Sequence, residues 1–320
     1  MTLLTVRDLC ITIGGIQPLD RISLTLDKGR ILGLVGESGS GKSLTAMAIM
    51  GLLPLIGGRV SAGSVQLGGI ELSGLREDAY RALRGRKVAL ITQNPMTSLD
   101  PMLRVGAQID QVGLLHLGLS AAAARARSID LLQQLRIPDA AQVYLQYPHQ
   151  MSGGMKQRIV IAMALAGNPD LIIADEPTTA LDVTIQAQII QILVDLVQTR
   201  GMALLLITHD MGVVAQACDD VVVLYAGRVA ESSAVGDIFA HPAHPYTQAL
   251  IGCIPRSGQA PGSLCGIPGT VPSVAHYASG CRYHPRCDRA QAVCSTDVPL
   301  LRNYGNSTVA CHFPESTSGG

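Results

Sequence analysis

The chain has 320 residues, length for about two domains, and its 24 Lys+Arg against 24 Asp+Glu leave a formal net charge of +0. That balance excludes the basic footprint of a nucleic-acid or anionic-membrane binder. At 48% hydrophobic and 15% charged residues, with mean hydropathy +0.30, the chain is apolar for a globular protein. Its best uncharged apolar run, Leu44 to Gly58, nevertheless contains Pro54 and three glycines in 15 residues, short of the roughly 20 needed to cross a membrane. Met1 to Leu9 lacks the basic start and apolar block of a secretory signal. The chain is therefore expected in the cytoplasm, where its eight cysteines read as metal ligands or buried thiols rather than disulfides.

Leu4 to Leu26 reads as short strands with turns at Gly14-Gly15 and Asp27-Lys28-Gly29, an antiparallel appendage. Apolar runs follow at Ile31 to Val35, Val88 to Thr92, Leu171 to Ala174, Ala203 to Thr208 and Val221 to Leu224. They do not alternate, so they suit strands covered on both faces in a parallel sheet. Helical periodicity over Leu44 to Leu53, Ala121 to Leu135, Gln157 to Ala166 and Val183 to Gln198 makes the architecture α/β. Residues 95 to 165 carry little strand signal and are expected to form a helical subdomain. From residue 253 the composition shifts to Pro, Gly, Ser, Cys and His, so the expected domains are 1–252 and a loop-rich 253–320, with a disordered tail at Ser316 to Gly320.

Gly36-Glu37-Ser38-Gly39-Ser40-Gly41-Lys42-Ser43 fits G-x-x-x-x-G-K-[ST] and stands between the strand ending at Val35 and the helix starting near Leu44. Glycines let such a loop turn its N–H groups inward around a phosphate, and the helix N-terminus adds positive potential. Lys42 is placed to reach the β and γ phosphates and Ser43 to ligate Mg²⁺. A second half-site, Leu171-Ile172-Ile173-Ala174-Asp175-Glu176, is an apolar strand ending in two acids. Asp175 is read as a Mg²⁺ holder and Glu176 as the general base on the attacking water.

These motifs together resemble the ABC transporter ATPases, and the resemblance assigns further residues. Gln93, 51 residues after Lys42, is similar to the family glutamine that senses Mg²⁺. Ser152-Gly153-Gly154-Met155 resembles the signature that caps the γ phosphate bound by the other subunit, and Thr179-Ala180-Leu181-Asp182 resembles the D-loop. His209, at the end of an apolar run, is similar to the switch histidine. Two positions depart from the pattern: Met155 stands where the signature most often has Gln, and Ile13 stands where an aromatic residue normally stacks on adenine.

Three longer stretches, Asn94 to Pro101, Glu176 to Gln188 and His244 to Leu250, resemble the oligopeptide/dipeptide/nickel importer ATPases over nearly the whole chain. Within that group Ser152 to Arg158 is similar to the D-type member. The resemblance implies a fold with a P-loop NTPase core on an ABC-type parallel sheet, and a role in coupling ATP hydrolysis to uptake of peptides, or of nickel or its chelates. It further implies an F-type ATPase partner, two transmembrane permease subunits, an extracytoplasmic binding protein, no nucleic acid, and a peripheral position on the cytoplasmic face of the bacterial inner membrane. A non-transport ABC-type ATPase is the rival class, but such proteins usually fuse two ATPase units or insert a long coiled coil.

The last region holds Cys281-x5-Cys287-x6-Cys294-x16-Cys311. Four thiolates suit a tetrahedral metal or an iron–sulfur cluster, although the tight C-x2-4-C pairs usual for structural zinc are absent. The same ending resembles that of peptide-importer ATPases carrying a [4Fe-4S] cluster, which the four cysteines are then expected to bind. His284 and His312 are substitute ligands or solvated loop residues, and Arg282 and Arg286 either hydrogen-bond cluster sulfurs or face water. Cys10, Cys218, Cys253 and Cys265 lack ligand spacing and read as buried or free thiols.

Overall fold

The computed structural model describes residues 1–179, 181–255 and 266–315. Ala180, Cys265 and the tail expected over 316–320 lie outside the described residues. Contacts divide the chain into two compact units. One comprises Thr2–Leu26, Ile31–Gly74 and Ile207–Gly320; the other comprises Met1, Asp27–Arg30 and Leu75–Leu206.

In the first unit, β1 (Thr2–Ile13) and β2 (Ile16–Asp27) meet across the Gly14-Gly15 turn, followed by β3 (Ile31–Val35), α1 (Lys42–Ile49), β4 (Gly58–Leu67) and β5 (Ile70–Glu71). A four-stranded sheet runs β2-β1-β4-β5, the appendage expected from the sequence. Strand β4, which pairs antiparallel with β1 from Leu4↔Leu67 to Ile13↔Gly58, was not anticipated, because its burial alternates only at its C-terminal end. Helix α1 stops at Ile49, before the expected Leu53, because Gly51 turns into the left-handed region with φ 64° and the N–H groups of Gly51 and Leu52 close back on the Ala48 and Met47 carbonyls.

The second unit continues with α2 (Glu77–Leu83), β6 (Val88–Ile91), α3 (Pro95–Ser98), α4 (Val105–Leu117), α5 (Ala121–Gln134), α6 (Ala140–Val143), α7 (Gly153–Ala166), β7 (Leu171–Asp175), α8 (Val183–Arg200) and β8 (Ala203–Thr208), at whose end the chain passes back to the first unit. Strands β6 and β7 pair in parallel from Val88↔Leu171 to Ile91↔Ala174. Leu171 to Ala174 are wholly buried, each large apolar side chain contributing roughly 1.5–3 kcal/mol. Helices α3 to α7 form the helical stretch read from residues 95 to 165, with α4 packed on α5 and α7.

The chain closes with α9 (Met211–Ala217), β9 (Asp220–Tyr225), β10 (Arg228–Ala234), α10 (Val235–Ala240), α11 (Pro245–Gly252), α12 (Ala292–Thr296), β11 (Arg302–Tyr304) and β12 (Ser307–Val309). Strand β3 pairs in parallel with β9 from Leu32↔Asp220 to Val35↔Val223; β10, β12 and β11 extend it antiparallel. The parallel core expected from the sequence is thus extended by antiparallel strands at one edge. Its face carries a cluster of three tyrosines, Tyr225, Tyr246 and Tyr283, with ring centroids 4.7 to 5.3 Å apart. No described helix is long and apolar enough to cross a membrane.

Candidate functional site

Gly36 to Ser43 joins β3 to α1. Gly36 has φ 156°, and a Cβ there would lie 2.2 Å from the Leu224 carbonyl oxygen, so no side chain fits. Lys42 is 5% exposed; its Nζ donates to the carbonyls of Gly36 at 2.7 Å and Glu37 at 3.0 Å, closing the loop on itself. Ser38 and Gly39 are exposed at the tip and Ser43 in the first turn of α1, while Ser40 is buried. The Ser40 carbonyl accepts from Gly227 N–H at 2.9 Å, and its Oγ has no partner among the described residues. Gly41, with φ 105°, caps the helix. The same unit holds Ile13, half-buried at the end of β1 against Gly58, and His209, exposed just after β8.

The other unit holds the rest. Asp175 ends β7 half-buried. Glu176 follows in the left-handed region with φ 48°, a conformation that costs a non-glycine residue about 1–2 kcal/mol and recurs at functional sites. Two donors fix its carboxylate: Gln93 Nε2 and Thr179 Oγ1, each 3.0 Å from Oε2. The pairing of Gln93 with Glu176 joins two residues 83 apart.

Ser152 caps α7, its Oγ accepting from Met155 N–H at 3.3 Å, so Ser152, Gly153 and Gly154 sit where the helix dipole is positive. Asp182 likewise caps α8 through Ile185 N–H at 2.9 Å. A Cβ on Gly154 would come within 2.8 Å of the Ile185 side chain, and one on Gly153 would touch Leu181. The two stretches are thus neighbours, and Ser152, Gly153 and Asp182 are exposed.

Cys281, Cys287, Cys294 and Cys311 line one cavity with His244, Tyr283, His284, His312 and Phe313. Burial pushes the Cys281 thiol up to about 11, and Cys311, Cys294 and Cys287 lie near enough to raise it further. Among the described residues no group of three or more His, Cys, Asp or Glu is arranged to hold a single metal ion. His284 Nδ1 and His312 Nε2 donate to backbone carbonyls, of Cys281 and Asp297, both at 2.9 Å. Burial, with Arg289 nearby, brings the His244 imidazole down to about 3 and keeps it neutral. Cys10 is buried, accepting from Arg21 N–H at 3.3 Å; Cys218 and Cys253 are half-buried and form no disulfide.

Neither arginine faces water. Arg282 reaches the Ala226 carbonyl and Asp20, and Arg286 forms a two-toothed pair with Glu37 of the phosphate loop. Sequence reasoning missed this role for Arg286. The available signal was Glu37 itself, an acid inside an anion-binding loop that calls for a cation beside it.

Residues 19–179 match the family model described as ABC transporter, and residues 230–294 match the one described as oligopeptide/dipeptide transporter, C-terminal region. The probable D,D-dipeptide transport ATP-binding protein DdpD of Escherichia coli K12 is 47% identical over 94% of this chain and 92% of its own. The dipeptide transport ATP-binding protein DppD of the same organism is 46% identical over 100% and 99%, and the oligopeptide transport ATP-binding protein AppD of Bacillus subtilis is 45% identical over 94% and 92%. Among solved structures, the dimeric post-hydrolysis state of the ATP-binding cassette MJ0796 with ADP and Pi matches with TM-score 0.65 at 26% identity, over 73% of this chain and 99% of that one. With its phosphate loop, its acid-ended strand and its capped signature helix, this chain belongs to the ABC transporter family as an ATP-binding, ATP-hydrolysing subunit.

Proposed function

We propose that this subunit drives import of dipeptides and oligopeptides across the bacterial cytoplasmic membrane. It works from the cytoplasmic face beside an F-type ATPase, two permease subunits and an extracytoplasmic binding protein. The observation that carries the cargo class is the full-length similarity to relatives named for dipeptide and oligopeptide transport, which extends through the C-terminal region at residues 230–294. In this reading 1–252 is the ATPase domain and 253–320 the cysteine-rich one.

ATP lies with its β and γ phosphates against the N–H groups of the Gly36–Ser43 loop, and Lys42 supplies a point charge. A hydroxyl from Ser43, a carboxamide oxygen from Gln93 and a carboxylate from Asp175 are the hard oxygen donors that suit Mg²⁺. When bound, that ion neutralises charge on the β and γ oxygens. Glu176 accepts the proton of the attacking water, its carboxylate held by Gln93 and Thr179. His209 steadies the γ phosphate, and Ile13 packs the adenine by aliphatic contact. Ser152, Gly153, Gly154, Met155 and Asp182 serve the nucleotide bound by the partner ATPase. ATP touches both subunits and favours the closed pair; hydrolysis removes that differential affinity and the pair reopens.

The test is the assembled transporter in vesicles. Glu176→Gln retains ATP binding and loses both ATP hydrolysis and uptake of a labelled dipeptide; undiminished hydrolysis overturns the assignment of the base.

The four cysteines at 281, 287, 294 and 311 hold a structural [4Fe-4S] cluster in this proposal. Their sharing of one cavity supports it. Iron and acid-labile sulfide in near-stoichiometric amounts from anaerobically purified protein are expected; zinc alone refutes the cluster.

A further inference from the structure

Phosphate-loop chemistry demands glycines, a lysine and a hydroxyl, and leaves the residue after the first glycine open. Here that residue is Glu37, and a carboxylate beside a polyphosphate opposes binding by like-charge repulsion. The fold answers it from far along the chain. Arg286 Nη1 and Nη2 donate to the two Glu37 carboxylate oxygens at 2.7 and 3.0 Å, and the guanidinium is 7% exposed on its side chain. Its Nε donates to the Pro268 carbonyl at 2.7 Å, Nη2 to those of Ile267 and Gly269 at 3.4 and 3.3 Å, and Nη1 to the Tyr225 hydroxyl at 3.4 Å. Such a fork has one orientation, set by all of these acceptors together.

Glu37 is pinned at a second point, because its backbone N–H donates to the Tyr246 hydroxyl at 3.0 Å. Its carbonyl is one of the two that receive the Lys42 ammonium. A short chain of contacts thus leads from Arg286 through Glu37 to Lys42. Arg286 immediately precedes Cys287, and Cys281 and Cys287 pack against the cluster containing Tyr225, Tyr246 and Tyr283.

We propose that Arg286 is a positioning residue for ATP binding: it cancels the Glu37 charge and fixes the carbonyl that orients Lys42, so the cysteine-rich segment and the nucleotide site are energetically coupled. The proposal rests on the ATP site of the family, and not on the cargo or on what the four thiols hold. Coupling is reciprocal. A bound nucleotide therefore steadies the turn at 281–287, and loosening that turn weakens the nucleotide.

The experiment uses the purified full-length chain. Arg286→Glu is expected to raise the ATP dissociation constant by about tenfold or more, since repulsion replaces a buried pair, and in the assembled transporter to raise KM for ATP more than it lowers kcat. Combining it with Glu37→Arg restores affinity to within about threefold of the original, the signature of a direct pair in a double-mutant cycle. A purely structural role for Arg286 gives no such rescue, and a double variant no better than the singles overturns the proposal. A second measurement needs no substitution: hydrogen exchange of the amides at 281–287 slows when a non-hydrolysable ATP analogue binds the unaltered chain. Unchanged exchange there overturns the coupling even if every variant misfolds.

Discussion

The phosphate loop and the cysteine-rich segment belong to the same compact unit and are built in opposite ways. The loop is eight consecutive residues between a strand and a helix, and its lysine closes it locally: Lys42 turns back to carbonyls five and six residues earlier. The cysteine-rich segment has little regular structure, with α12 of five residues and β11 and β12 of three each. Side chains that reach across the sequence hold it: Arg282 to Asp20, Arg286 to Glu37, and Arg228 to the Gly280 carbonyl at 3.0 Å. One region is organised by its backbone and is ready for an anion. The other is organised by long-range ion pairs around a cavity that four thiols line.

The largest expected effects separate chemistry from architecture. Glu176→Gln removes a proton acceptor and should lower ATP turnover by about 10²–10⁴-fold, with the unfolding midpoint nearly unchanged because the amide still accepts from Gln93 and Thr179. Cys294→Ser, at a site 7% exposed, should do the reverse. With the proposed cluster lost, iron content falls to background and stability drops by about 3 kcal/mol or more, at the large end of single-substitution effects, where loss of a metal belongs. Iron analysis with thermal melts reads both. A Cys294→Ser protein that keeps its iron and its melting point would erase the contrast between the two regions.

That contrast also marks how much was legible in advance. The phosphate loop, the acid-ended strand β7 and the start of α8 at Val183 follow from residues within a few positions of one another and stand where their local patterns put them, while α7 begins at Gly153, ahead of the expected Gln157. Strand β4 escaped because Ser61, Ala62, Gly63 and Ser64 interrupt its alternation. The partner of Arg286 escaped for a stronger reason: it lies 249 residues away, and no local periodicity encodes a pairing at that distance. The strained φ of Glu176 is likewise imposed by tertiary structure, since nothing about a glutamate before Pro177 selects the left-handed region.

A smaller effect sharpens the link between the regions. Tyr246 is fully buried and its hydroxyl accepts the Glu37 N–H. Tyr246→Phe keeps the aromatic packing and strands that N–H, at a cost of about 1–3 kcal/mol. Affinity for ATP should fall along with stability, by less than for Arg286→Glu, because the Glu37 charge stays neutralised. A melt and a nucleotide titration on one preparation measure both, and a Tyr246→Phe protein with full ATP affinity would remove the hydroxyl from the path between Tyr246 and Lys42.

The smallest effect tests a different kind of burial. Gln157 lies inside α7, three residues after Gly154, and is wholly buried. Neither its Oε1 nor its Nε2 has a hydrogen-bond partner among the described residues. A carboxamide in that position forgoes its water contacts without replacement, which costs about 1–3 kcal/mol, while an apolar side chain of similar volume incurs no such penalty. Gln157→Leu should therefore leave the melting point unchanged or raise it by a few degrees, opposite in sign to every other buried substitution considered for this chain. If stability instead falls by more than about 1 kcal/mol, a typical hydrogen bond's contribution, the carboxamide has partners and the signature helix rests on a polar contact. If stability holds while turnover in the assembled transporter drops, the amide finds its partner only when the two ATPases close on nucleotide, and its burial marks a helix strained for that step.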